Sequence, residues 1–167
     1  MPAKAAVQSK SLELTRVFKA PIGRVWHAWS TEDALQTWWG PKGCKLTTHW
    51  LEFRPGGFFH YEMKFTNTPP WYGRFNYRDI ADRERIVWLN SFANELGGIV
   101  RAPFAPEFPM EVLNTAHFTD HGGKTRVALT STPFGALANE VAAFESIFDS
   151  MNKGYSAALD QLEEVLG

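Results

Sequence analysis

The sequence predicts an α+β fold: a curved, seven-stranded antiparallel sheet wrapped around one long C-terminal helix, with two short helices after the first strand. Three observations carry that expectation. Apolar residues recur at Leu137, Val141, Phe144, Phe148, Met151, Tyr155, Leu159, Leu162 and Leu166, steps of three and four that line one face of a helix over 137–166. Upstream, the chain reads as short β-prone segments separated by turn-forming residues. The helix has one apolar stripe and needs one partner, and only the concave face of that sheet is long enough to cover it. A sheet curved around a helix cannot touch it everywhere, so the same geometry leaves an internal cavity.

The first strand is expected over 12–19, ending at Ala20-Pro21. Pro21 can open a helix because its missing N–H would have no partner in the first turn. Val25, Trp26 and Trp29 follow at helical spacing, and Ser30-Thr31-Glu32-Asp33 has the capping chemistry that starts a second short helix through Leu35 to Trp38. Gly40-Pro41-Lys42-Gly43 stops it. Six further strands are expected at 44–54, 58–65, 71–80, 85–92, 110–118 and 124–131. The connections at 55–57, 67–70, 81–84 and 120–123 are short enough for antiparallel hairpins. The one over 93–109 is not: it carries Gly97-Gly98 and Pro103, Pro106 and Pro109, and is expected near the cavity mouth as a lid or a mobile excursion.

Bulk properties narrow the function classes. At 167 residues the chain is expected to form a single domain over 11–167 behind a flexible tail at 1–10. A net charge of −1 with mixed signs along the chain argues against a nucleic-acid partner, and no apolar run suits membrane insertion. Cys44 is the only cysteine, so no intramolecular disulfide can form and a cytoplasmic setting is the default. His27, His49, His60, His117 and His121 lack metal-ligand spacing, and neither a nucleophile elbow nor a phosphate-cradling loop is present. No catalytic residue, metal or cofactor is therefore expected, and a homodimer is left open.

The seven tryptophans and thirteen phenylalanines can fill a wide core or line an apolar pocket. Alternation along 58–65 sends Phe59, Tyr61, Met63 and Phe65 toward the helix. Asn114 shares a strand face with Val112, Ala116 and Phe118, so its amide must find a partner among apolar groups, in backbone, buried water or a ligand head. Gly154 interrupts the long helix at a cost on the order of 1 kcal/mol, which points to close approach by a strand or a ligand. The expected cavity lining is Trp39, Phe59, Tyr61, Met63, Phe75, Tyr77, Trp88, Asn114, Phe148, Met151 and Tyr155.

Several segments also resemble one family. Thr15-Arg16-Val17-Phe18-Lys19-Ala20-Pro21 and Val25-Trp26-His27-Ala28-Trp29-Ser30 are similar to the opening of bacterial proteins grouped with the C-terminal domain of the activator of Hsp90 ATPase. Trp38-Trp39-Gly40-Pro41, Arg54-Pro55-Gly56-Gly57, Tyr77-Arg78-Asp79-Ile80 and Gly123-Lys124-Thr125-Arg126-Val127 continue the resemblance in order. Gly154-Tyr155 with Leu159 and Leu162 resembles the family's closing helix, with Tyr where Trp is commoner. The resemblance implies the helix-grip fold of the START/Bet v 1-like (SRPBCC) superfamily, which hosts carriers, receptors, cyclases and co-chaperone domains.

Three functions are in competition. The first is binding or carriage of a small hydrophobic or aromatic molecule. The second is a cyclase- or hydrolase-type enzyme in which Tyr61, Asn114 or Tyr155 polarises a substrate; it lacks a confident inward His or carboxylate. The third is an Hsp90-type co-chaperone. The eukaryotic activator that the chain resembles carries an additional N-terminal domain that contributes to chaperone binding, whereas about ten residues precede the first strand here, which weakens the transfer.

Overall fold

The computed structural model describes residues 9–167. The tail expected at 1–10 therefore lies outside the described residues except for Ser9 and Lys10, whose backbone N–H donates to Glu145 Oε1 at 3.0 Å. The chain forms β1 (Leu12–Phe18), α1 (Ile22–Ser30), α2 (Glu32–Trp38), β2 (Lys45–Leu51), β3 (Phe58–Lys64), β4 (Trp71–Ala81), β5 (Arg85–Ala93), β6 (Ile99–Val100), β7 (Glu111–His121), β8 (Lys124–Phe134), α3 (Ala138–Ser146) and α4 (Phe148–Leu166). The seven main strands are antiparallel in the order β1-β8-β7-β5-β4-β3-β2. This is the helix-grip α+β arrangement.

Turn chemistry sets the register. Gly122 and Gly123, at φ 62° and 85°, supply the positive dihedrals of a two-residue hairpin, so His121 pairs with Lys124 and eleven-residue strands run back from it. Arg83 at φ 59° turns β4 into β5, and a bulge between Thr48 and Trp50 shifts the register of β2 against β3.

The seven expected strands make up the sheet, and a short eighth, Ile99–Val100, pairs with Phe92 and Ala93 and turns part of the 93–109 connection into a hairpin. One expectation needs correction. The helix expected over 137–166 is broken at Ile147, which leaves helical geometry at φ −114° and ψ 20° while its N–H reaches back three residues to the Phe144 carbonyl at 3.3 Å. Packing explains the break. Phe144 is buried against Phe108 and Phe148, whereas Leu159 and Leu162 pack into a different part of the core, and one straight helix cannot serve both.

The larger core joins α1, α2 and the C-terminal half of α4 to the sheet through Trp29, Trp38, Phe59, Phe75, Trp88, Leu159 and Leu162. Phe75 stacks on Trp88 at 5.1 Å, Trp29 leans on Trp38 at 4.7 Å, and the Trp38 indole N–H donates to the Ala28 carbonyl at 2.8 Å. Each such side chain contributes about 1.5–3 kcal/mol on burial. The smaller core gathers Leu12, Ala102, Phe108, Val112 and Phe144. Tyr155 touches both clusters.

Candidate ligand cavity

Where the two cores part company, the sheet and α4 enclose a cavity of about 310 Å³, at the small end of the range for ligand pockets. One wall is Trp39, Gly40 and Pro41 just after α2; a second is Tyr61, Met63, Trp71, Asn90 and Phe92 from β3, β4 and β5. The third is Phe104, Phe108 and Pro109 from the connection after β6, and the fourth is Ile147, Met151, Gly154, Tyr155 and Ala158 at and beyond the helix break. Trp71 and Phe104 stack at 5.9 Å and stay 39% and 53% exposed, which puts the mouth at their end. Tyr61 and Ala158, at 3% and 4%, form the interior.

No Lys, Arg, Asp, Glu or His side chain contributes to the lining. Its polarity comes chiefly from Tyr61, Asn90 and Tyr155. The Tyr61 ring lies directly over Gly73, its cross-strand neighbour, where a Cβ would stand 2.2 Å from the ring. The Asn90 amide nitrogen donates to the Arg74 carbonyl at 3.1 Å and to the Tyr61 hydroxyl oxygen at 3.3 Å. Burial pushes the Tyr61 phenol up to about 12, against the opposing pull of hydrogen bonds from Trp39 and Asn90.

Tyr155 is held by a second amide. Its hydroxyl donates to Asn114 Oδ1 at 3.2 Å, and the Ser131 hydroxyl donates to the same oxygen. The Asn114 nitrogen donates to the Val112 carbonyl at 3.3 Å. Burial raises the Tyr155 phenol as well.

Five residues of the expected lining, Trp39, Tyr61, Met63, Met151 and Tyr155, stand on the cavity wall. Phe59, Phe75, Tyr77 and Trp88 do not: they face inward but lie in the larger core, at most 3% exposed. Phe148 packs edge-on against Phe144 in the smaller core. Asn114, fully buried behind Tyr155, is satisfied by its own neighbours, and the amide on the cavity wall is Asn90 instead. Continuing the β5 alternation from Trp88 to Asn90 and Phe92 is the signal that could have found both. At Gly154 the expected approach of a strand is corrected, since a Cβ there would meet nothing within 4 Å; the residue lines the cavity instead, where only a ligand could come close. The close approach is at Gly73.

A family model described as activator of Hsp90 ATPase homolog 1-like protein matches residues 19–167. The chain belongs to this family. A structure from Mycobacterium smegmatis is similar to the family member described here at 25% identity and TM-score 0.77, covering 94% of this chain and 90% of that one. One from Arthrobacter aurescens is 25% identical with TM-score 0.78, over 93% and 85% of the two chains. A third, from Staphylococcus epidermidis, at 24% identity and TM-score 0.73 over 98% and 93%, shows the fold alone. The comparison with curated proteins found no match. Among the described residues of this family member, no three His, Cys, Asp or Glu side chains gather into a metal-binding group, and no helix is long and apolar enough to cross a membrane.

Proposed function

We propose that the protein binds a small, mostly apolar molecule in the cavity between the sheet and α4, as a carrier or sensor in the cytoplasm. The observation that supports this is the lining itself: about 310 Å³ enclosed by aromatic and aliphatic side chains, free of charged groups and provided with a few oriented polar ones. Membership of a ligand-binding superfamily points the same way. A cyclase or hydrolase would need a proton acceptor or nucleophile in contact with the substrate. The hydroxyls of the lining are the phenols of Tyr61 and Tyr155, raised by burial and protonated near neutral pH, and that of Ser91, which has no base hydrogen-bonded to it among the described residues. The co-chaperone reading rests on the family description alone.

The test has two arms. Native mass spectrometry of the purified protein is expected to show a copurifying small molecule. Titration with planar apolar compounds is expected to quench tryptophan emission saturably, because Trp39 and Trp71 stand on the wall. Failure of both arms, with stimulation of Hsp90 ATPase activity, would transfer the assignment to the co-chaperone class.

A further inference from the structure

Proton accounting in the cavity specifies its ligand more narrowly than shape does. Two backbone carbonyls fix how the two amides are oriented. The Asn90 group facing the Arg74 carbonyl must be the NH₂, and so must the Asn114 group facing the Val112 carbonyl, because a carbonyl oxygen only accepts. It follows that Asn90 presents N–H to Tyr61, while Asn114 presents its oxygen to Tyr155.

The two phenols are thereby set in opposite roles. Tyr61 oxygen receives a proton from Asn90, and among the described residues its own O–H is given to no acceptor. Tyr155 has spent its proton on Asn114 Oδ1, which has none to return, so lone pairs are what remain on its oxygen. Ser131 cannot reverse this, because its single proton is also committed to Asn114 Oδ1. The cavity therefore carries a free donor at Tyr61 on its sheet wall and a free acceptor at Tyr155 on its helix wall, in a lining with no charged side chain.

The geometry points to a ligand with an uncharged head group that both donates and accepts, such as a phenol, an alcohol or a primary amide, bound head-inward between Tyr61 and Tyr155. This rests on the cavity being a ligand site. A carboxylate would have to shed its water with no cation to receive it, and an ether could satisfy Tyr61 but would leave Tyr155 without a donor. The apolar remainder of the ligand lies along Met151, Phe92 and Phe108 toward the aromatic mouth.

Calorimetric titration with 2-naphthol, 2-methoxynaphthalene, naphthalene and 2-naphthoate tests this, in the native chain and in Tyr61→Phe and Tyr155→Phe. Both variants should fold, since Asn90 keeps its bond to Arg74 and Asn114 keeps those to Val112 and Ser131. The expected order is naphthol tightest, then the methoxy compound, then naphthalene, with naphthoate weakest. Each lost hydrogen bond should weaken binding about three- to tenfold. Tyr61→Phe should weaken both naphthol and the methoxy compound, and Tyr155→Phe naphthol alone. Equal binding of the three neutral compounds with no effect of either variant would overturn the head-group assignment and leave the apolar-cavity reading standing, as would naphthoate binding best. Absence of binding by all four would sink both.

Discussion

Gly154 and Gly73 show how differently two glycines in regular structure can behave. Gly154 stands in α4 with open space where a side chain would be, so Gly154→Ala is expected to stabilise the protein by up to about 1 kcal/mol through helix propensity alone. Thermal melting checks this, and a fall in the midpoint would count against the open geometry. At Gly73 an added methyl would collide with the Tyr61 ring, so Gly73→Ala should cost about 1–3 kcal/mol and displace the cavity's donor. The phenols add a pH signature. Tyr61, Tyr77 and Tyr155 are all raised by burial, and an acid with a raised folded-state value stabilises fully below its unfolded value of about 10 and loses that contribution as pH climbs. Their phenolate absorbance should therefore appear only with unfolding, while half-buried Tyr72 titrates reversibly; early ionisation of more than one tyrosine would show that the cavity is wet.

Among the elements, the connection after β6 is tied down at two points. Phe108 packs on Phe144, and Arg101 pairs with Glu140 while also donating to the Phe108 carbonyl at 3.2 Å. The Glu140 carboxyl is held low, first by the Leu137 N–H and then by Arg101. A lowered carboxylate stabilises fully above about 4.5 and ceases to do so as pH falls through its depressed folded value, so acid should release this tether. Protection over 101–109, relative to the intrinsic exchange rate at each pH, should fall at acid pH in the native chain, and Glu140→Gln should lower it already at neutral pH; unchanged protection in the variant would assign the anchoring to Phe108 alone. The helix break predicts a contrast as well. Leu159→Ala should cost about 2–5 kcal/mol, because Leu159 is 3% exposed in the larger core. Phe148→Ala should cost clearly less, since Phe148 is only half-buried beside the break.

At the scale of the molecule, the architecture was legible because period and turn chemistry are local. Alternation through Tyr61 and Met63, the stripe through Leu159 and Leu162, and Gly122-Gly123 each state a direction that tertiary packing then respects. The cavity was legible only in part. Period tells which residues face inward, but Phe59, Phe75, Tyr77 and Trp88 share that face with Tyr61, and the stretch of helix that stands clear of the sheet decides which of them are left uncovered. That depends on the break at Ile147, invisible in a stripe whose spacing runs through it without a fault. Asn114 failed for the same reason: its strand phase was right, and Tyr155 lay in front of it.

The division of the interior into two clusters has a consequence for how the protein comes apart. Few apolar side chains besides Tyr155 touch both sides, so the void acts as a fault line between a large cooperative unit and a small one built from α3, the connection after β6 and the β1 end of the sheet. Opening the small unit would expose the void without melting the large one and would give a molecule a second route into the interior, besides the mouth at Trp71 and Phe104. A bound molecule would bridge the fault and make the two units melt as one. Amide protection should then fall into two classes in the empty protein, with residues around Phe108 and Phe144 exchanging well before those around Trp38 and Trp88, and merge when the void is filled. A single protection class in the empty protein would mean that the two clusters are one.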